Sequence, residues 1–185
     1  MNIAGFTSLE RVLMTLGQKE PDRVPFFLLV TLHGARELGV SIEEYFSKAE
    51  NIAEGQIRMR ERYGHDCLYS FSYASIELEA FGGQTLFFED GPPNAGAPII
   101  RTPDDINYLQ YPRIKDSPCL NKVLEATTIM KERIGDEAPI IGVTISPFSL
   151  PVMQMGFEQY LNLILNSPEL FEHLMAINEE FCVGW

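Results

Sequence analysis

Residues 138–146 read APIIGVTIS, a run of apolar and β-branched residues without polar alternation. A strand with one wet face alternates apolar and polar residues, whereas one covered on both faces does not, and strands covered on both faces belong to parallel sheets. Two other runs read the same way, VPFFLLVT at 24–31 and DCLYSFSY at 66–73. Three buried strands are therefore expected. The segments around them carry helix signals. Thr7 with Glu10 forms a capping-box pattern that Gly17 closes, and Ser41 with Glu44 starts SIEEYF. AENIAEGQIRMRERYG continues as a longer helix to Gly64. Thr102-Pro103, Ser117-Pro118 and Ser167-Pro168 place a hydroxyl at the cap and proline at the first helical position. Leu120, Val123, Leu124, Met130 and Ile134 mark one apolar face. Phe157, Tyr160, Leu161, Ile164 and Leu165 mark another, and Leu170, Phe171, Leu174, Met175, Phe181 and Cys182 a third.

Repeated strand–helix units predict an α/β protein, either a doubly wound open sheet or a (βα)8 barrel. No GxGxxG and no GxxxxGK[ST] follows any of the three strands, which removes the usual signature of a nucleotide-binding open sheet. The barrel is favoured, but three βα units cannot close eight strands. The expected fold is the N-terminal half of a (βα)8 barrel, residues 1–185 forming one partial domain. Within it, 1–20 are a leading helical segment, and 84–101 an inserted hairpin in which QTLFFEDG pairs with APIIRT.

Composition bounds the partners. Among 185 residues, 26 acidic against 14 basic side chains give a formal charge of −12, which repels nucleic acid and anionic membrane surfaces. No apolar stretch is long enough to span a bilayer and the N-terminus has no leader pattern, so a cytoplasmic protein is expected. Cys67, Cys119 and Cys182 are odd in number and far apart, as reduced thiols are.

Five phrases in order, DRVPFFLLV, YGHDCLYSFSYASIELEAFGG, APIIRTPDDINYL, IIGVTISPFSL and NSPELFEHL, resemble the N-terminal half of the uroporphyrinogen decarboxylase superfamily. That superfamily contains the haem-pathway decarboxylase and the cobalamin-dependent methyltransferases, among them methylcobamide:coenzyme M methyltransferases and bacterial O-demethylase components. The resemblance implies a (βα)8 barrel with its site at the C-terminal ends of the strands. It also implies an aspartate after the Phe-Ser pair in a decarboxylase, where this chain has Tyr73. Two arginines that bind substrate carboxylates fall at Val30 and Gly34, and a two-residue gap brings Arg36 to the second place; a tyrosine falls near Met153. A substrate bearing many carboxylates needs arginine forks, so porphyrinogen decarboxylation is disfavoured.

The methyltransferase branch remains. There the resemblance implies a zinc ion that activates a thiol or related acceptor and a corrinoid that supplies the methyl group. The branch's zinc ligands, a His-x-Cys pair and a later cysteine, belong to the second half of the barrel. Zinc and corrinoid are accordingly expected only for a complete family member, with none held firmly by this chain. The HDC tripeptide at 65–67 has the ligand spacing but precedes the second strand, and it reads as structural.

The candidate substrate-binding residues are His33 after the first strand, Ser72, Tyr73 and Glu77 after the second, Thr144 and Ser146 after the third, and Met153. Glu77 and Glu79 are two apart and do not share a helix face; Glu79 reads as a first-turn acid and Glu77 as the one closer to a ligand. Met153 and Met155 beside Phe148 suit a flat macrocycle, with core packing as the alternative, and His173 reads as a helical residue among core side chains. No catalytic residue is assigned within the chain. The functional expectation is a partial barrel resembling corrinoid-dependent methyltransferases, enzymatic when a second half completes it. Uroporphyrinogen decarboxylation is one alternative. The other is a non-catalytic assembly module, a homo-oligomer or a partner of a second barrel half, with a corrinoid protein as a further expected partner.

Overall fold

The computed structural model describes residues 5–185, so the first four residues of the expected leading segment 1–20 lie outside the described residues. In chain order the elements are α1 (Ser8–Leu16), α2 (His33–Leu38), α3 (Ile42–Ser47), α4 (Ala49–Tyr63), β1 (Leu68–Tyr69), α5 (Ile76–Ala80), β2 (Thr85–Leu86) and β3 (Asn94–Ala95). They continue with two 3-10 helices (Pro103–Tyr108 and Ile114–Asp116), α6 (Pro118–Ile134), β4 (Ile140–Ile141), α7 (Leu150–Met155), α8 (Phe157–Asn166) and α9 (Pro168–Gly184). The chain forms two compact units: residues up to Ser72 with Lys122–Val143, and Tyr73–Asn121 with Thr144–Trp185. No helix among the described residues is long and apolar enough to cross a membrane.

The first unit opens with α1, whose start is set by a reciprocal cap. Glu10 N–H donates to Thr7 Oγ1 at 3.1 Å and Thr7 N–H donates to Glu10 Oε2 at 2.8 Å. β1 and β4 pair in parallel, Leu68 opposite Ile140 and Tyr69 opposite Ile141, and Ser70 N–H extends the ladder to Ile141 O at 3.1 Å. Ala53 of α4 and Met130 of α6 bury against Leu68, with Ile140 packed on the same cluster, so helices supply the apolar cover that a parallel pair needs. α2 and α4 approach closely because both carry glycine at the crossing. A Cβ on Gly55 would lie 2.8 Å from Gly34 Cα, and one on Gly34 would fall into the Tyr45 ring.

An ionic cluster ties the start of this unit to β1. Asp66 is fully buried and accepts from Arg11 Nη1 at 2.6 Å, Arg23 Nη2 at 2.8 Å, Phe26 N–H at 2.7 Å and Ser8 Oγ at 2.9 Å. Burial acts to raise the Asp66 pKa. The Arg23 bond, the Phe26 N–H, the Ser8 hydroxyl and the Arg23 charge outweigh it and hold the carboxyl at about 2.

In the second unit Ile100, Ile106, Met155, Tyr160, Leu163 and Leu174 form the core. A reciprocal amide pair lies within it. Gln154 Nε2 donates to Asn178 Oδ1 and Asn178 Nδ2 donates to Gln154 Oε1, both at 3.0 Å. The Gln154 carbonyl also accepts the N–H groups of Ile99 and Ile100, each at 2.9 Å, fixing the chain after the hairpin against α7.

Several sequence expectations change in detail. VPFFLLVT is not a strand: a Val30 N–H to Leu28 O closure at 3.1 Å breaks its extension, and Val24, Phe26, Phe27 and Leu29 are 83, 49, 42 and 60% exposed. A continuous apolar run signals burial only where something covers both of its faces. The other two runs are strands for only two residues each. The hairpin exists, but its register pairs Thr85 with Ala95 and Leu86 with Asn94, so its second strand precedes APIIRT. All three Xaa-Pro starts are correct to the residue. Their hydroxyls differ: Ser117 Oγ donates backward to Arg113 O at 3.2 Å, and Ser167 makes no side-chain cap bond. Leu124, Phe157, Leu161 and Leu165 are exposed, and the buried positions on α8 are Tyr160 and Leu163.

Candidate functional site

In the first unit, His33 is the first residue of α2 and exposed, rather than a loop residue at the end of a strand. One turn on, Glu37 accepts both Arg62 Nη1, at 2.8 Å, and Tyr63 Oη, at 3.1 Å. The Arg62 bond, the Tyr63 hydroxyl, and the charges of Arg62 and His33 outweigh desolvation and hold the Glu37 carboxyl below the usual carboxylate range. Ser72, just past β1, is buried and its Oγ has no hydrogen-bond partner. The HDC tripeptide lies just before β1. Asp66 belongs to the ionic cluster and Cys67 is fully buried. Both ring nitrogens of buried His65 lack partners, and burial and the Arg60 charge lower its pKa against the opposing pull of Asp66.

The second unit brings Glu77 together with the segment after β4. Glu77 is fully buried on α5, and its Oε1 accepts Ile145 N–H at 3.1 Å. From α9, Cys182 Sγ donates to Ile145 O at 3.3 Å. The two sides of one peptide-bearing residue are thus held by side chains from two helices, which fixes the loop carrying Thr144 and Ser146. Both of those side chains are exposed; Thr144 Oγ1 donates to Ile145 O at 3.4 Å and Ser146 Oγ accepts Phe148 N–H at 3.2 Å. Burial pushes the Glu77 carboxyl up, and the Ile145 N–H, its own N–H and the Trp185 side chain offset only part of this. Glu77 Oε2 has no formed hydrogen bond: the Trp185 contact favours the anion but lies outside hydrogen-bond geometry. Burial likewise raises the Cys182 thiol, with Thr144 opposing and the Glu77 charge adding to it.

Tyr73 is buried and committed. Its hydroxyl donates to Glu79 Oε2 at 2.7 Å, and its ring meets Phe87 edge-on at 5.6 Å between centroids. Burial and the Glu79 carboxylate both raise its pKa. Glu79 is therefore more than a first-turn acid, and the Tyr73–Glu79 bond is the pairing that helix spacing alone did not show. Met153 is half-buried on α7, whereas Met155 sits in the core and presents nothing to a macrocycle. Phe148 is exposed and engages Tyr160 and Phe171 edge-on. His173 is exposed, not among core residues as the helix pattern suggested. Two hollows in this unit, of about 350 and 590 Å³, are walled by α8 with Arg101–Pro103 and Met155, and by α9, including His173, with Asn107–Tyr111; His33, Ser72, Tyr73, Glu77, Thr144, Ser146 and Met153 line neither. No group of three or more His, Cys, Asp or Glu among the described residues is placed to hold a metal ion.

The parallel β1–β4 pair covered by helices, with candidate residues following the strands, defines an α/β protein of partial (βα)8-barrel type. The chain belongs to the uroporphyrinogen decarboxylase (URO-D) family, whose model matches residues 7–184. Its relatives fall into two activities. It is 24% identical to a uroporphyrinogen decarboxylase of Xylella fastidiosa over 90% of this chain and 50% of that protein. It is 25% identical to the methylcobamide:CoM methyltransferase MtaA of Methanosarcina barkeri, and 23% to MtbA of Methanosarcina acetivorans, in each case over 97% of this chain and 54% of the relative. In three dimensions it matches a methyltransferase from Methanosarcina mazei with a TM-score of 0.83 at 19% identity, over 95% of this chain and 53% of that one. The chain spans about half the length of the curated relatives it matches.

Proposed function

We propose that this chain supplies scaffold and pocket wall to a barrel of the corrinoid-dependent methyltransferase type, acting in methyl transfer from a methyl-corrinoid to a thiol or other acceptor. The observation that carries this reading is Tyr73. At the place where the family resemblance implies a decarboxylase aspartate, the chain has a buried tyrosine whose hydroxyl is already bonded to Glu79. The places of the carboxylate-binding arginines hold Val30 and Gly34, and Arg36, the one cation a gap could bring there, is exposed on α2. Without arginine forks a polycarboxylate substrate has nothing to offset its charge. The MtaA and MtbA relatives support the same branch, beside decarboxylase relatives of similar identity. Zinc, where a complete protein holds it, would supply a thiolate nucleophile; the residues described here have no part in that step beyond shaping the wall. The test is a uroporphyrinogen assay with an active decarboxylase run alongside. No consumption by this chain is expected, and turnover above the protein-free rate would overturn the reading, as would stoichiometric zinc that activity requires.

A second reading is favoured by the exposed run Val24–Leu29 and by a parallel sheet of only two strands among the described residues: an assembly module completed by a partner that covers them. Native mass spectrometry distinguishes it. A stable dimer or larger assembly supports it, and a soluble monomer at low micromolar concentration contradicts it.

A further inference from the structure

The hollow of about 350 Å³ in the second unit has a lining unlike the composition of the chain. The chain carries 26 acidic against 14 basic side chains, yet no carboxylate lines this hollow, and the charged group in its lining is the Arg101 guanidinium. Gln159, Asn162, Leu163 and Asn166 recur at helical spacing and so share one face of α8, three carboxamides around a leucine. Leu163 and Met155, 2 and 1% exposed, supply an apolar floor. The side chains of Arg101, Gln159, Asn162 and Asn166 make no hydrogen bond or ion pair with the described residues. The backbone that carries Arg101 is fixed in place. Asp105 Oδ2 accepts the N–H groups of Arg101 and Thr102, each at 2.8 Å, and Ile100 N–H donates to Gln154 O at 2.9 Å. The Asp105 carboxylate, which feels the Arg101 charge, is thereby committed to backbone donors.

We propose that this hollow binds a small hydroxylated oxyanion, a polyol phosphate or a hydroxy acid of few carbons, with its anionic group on Arg101 and its hydroxyls on the α8 carboxamides. A guanidinium presents parallel N–H donors that fit a phosphate or a carboxylate alike. A carboxamide both donates and accepts, which is what a hydroxyl needs of its partner. Met155 and Leu163 take the carbon chain between the two ends. The volume lies at the lower end for small-molecule sites, and no aromatic side chain lines the hollow to stack a nucleobase, so a nucleotide does not suit it. None of the residues that carry the functional reading lines this hollow, and the two stand or fall separately.

The experiment is equilibrium dialysis of the full chain against glycerol 3-phosphate, glycerate, glycerol and inorganic phosphate at low salt. At least one of the two hydroxylated oxyanions is expected to bind about tenfold or more tightly than either glycerol or inorganic phosphate, and the better of the two identifies the anionic group. Arg101→Gln is expected to lose about tenfold in that affinity. Its side chain is exposed and bonds nothing in the fold, so the variant keeps its structure. Asn162→Leu, on the α8 face, is expected to lose about threefold or more for the hydroxylated ligand and nothing for inorganic phosphate. Arg113→Gln removes the same charge from the second unit outside this hollow and is expected to stay within about twofold of the parent. Binding that is unchanged in Arg101→Gln, or that falls equally in Arg113→Gln, overturns the proposal. So does inorganic phosphate bound as tightly as glycerol 3-phosphate with glycerate no better, or no binding of either hydroxylated oxyanion by the parent at about 10 mM.

Discussion

Replacing Asp66 with asparagine tests the ionic cluster that closes the first unit. The Asp66 side chain is fully buried, with the Arg11 side chain 7% exposed and that of Arg23 46% exposed. Its pKa falls from 3.8 to about 2, and at ~1.4 kcal/mol per unit that shift corresponds to roughly 2.5 kcal/mol of folded-state stabilisation at neutral pH. The Asp66→Asn change would also leave Arg11 with Asp22 as its only carboxylate, so a total loss of about 3 kcal/mol is expected, at the low end for a broken buried pair because half-exposed Arg23 returns to water. In urea, with a slope of about 2 kcal/mol per molar, the midpoint drops by about 1.5 M at pH 7 with the slope unchanged. The sign with pH follows from a depressed carboxylate pKa. The stabilisation is fully present above 3.8 and is lost as pH falls through about 2, so the gap between parent and variant closes over that window. A gap that persists undiminished at pH 2, or a variant within about 0.5 kcal/mol of the parent at pH 7, would refute the reasoning.

Asn178→Ala leaves the Gln154 amide buried without its partner and is expected to cost about 1–3 kcal/mol, read as a lower urea midpoint; no change would mean the pair is not formed in solution. Gly55→Ala drives a methyl to within 2.8 Å of Gly34 Cα and against Tyr45, and about 1–3 kcal/mol of destabilisation is expected by thermal melting, where a neutral or stabilising effect would contradict the close approach of α2 and α4. Tyr73→Asp restores an acid at the decarboxylase place but no arginine forks, so uroporphyrinogen remains unconsumed; measurable turnover by this variant would show that the missing acid alone had silenced the activity.

The elements legible in the sequence are those fixed by local chemistry. Thr7, Glu10 and Gly17 delimit α1 because a cap is a contact three residues long. Pro103, Pro118 and Pro168 mark helix starts through their own fixed φ and missing N–H, which is why the start at Pro168 holds where the Ser167 hydroxyl does not cap. The separation of Glu77 from Glu79 followed from helix geometry, and the structure sends one to Ile145 and the other to Tyr73. What was not legible depends on distant partners. Asp66 stood inside a tripeptide read for metal spacing, and its real partners, Arg11 and Arg23, lie 55 and 43 residues away. The Gln154–Asn178 pair spans 24 residues and carries no periodic signal. VPFFLLVT has the composition of a covered strand, but cover is supplied by other parts of a molecule, and a run of apolar residues does not encode it.

The most direct measurement is a competition by equilibrium dialysis, in which one sample of this chain is offered cobinamide and uroporphyrin at equal concentration. On the proposed reading the expected result is retention of cobinamide with uroporphyrin left free, since Val30 and Gly34 stand at the places of the carboxylate-binding arginines. Retention of uroporphyrin in preference to cobinamide would contradict the proposed methyltransferase-type reading.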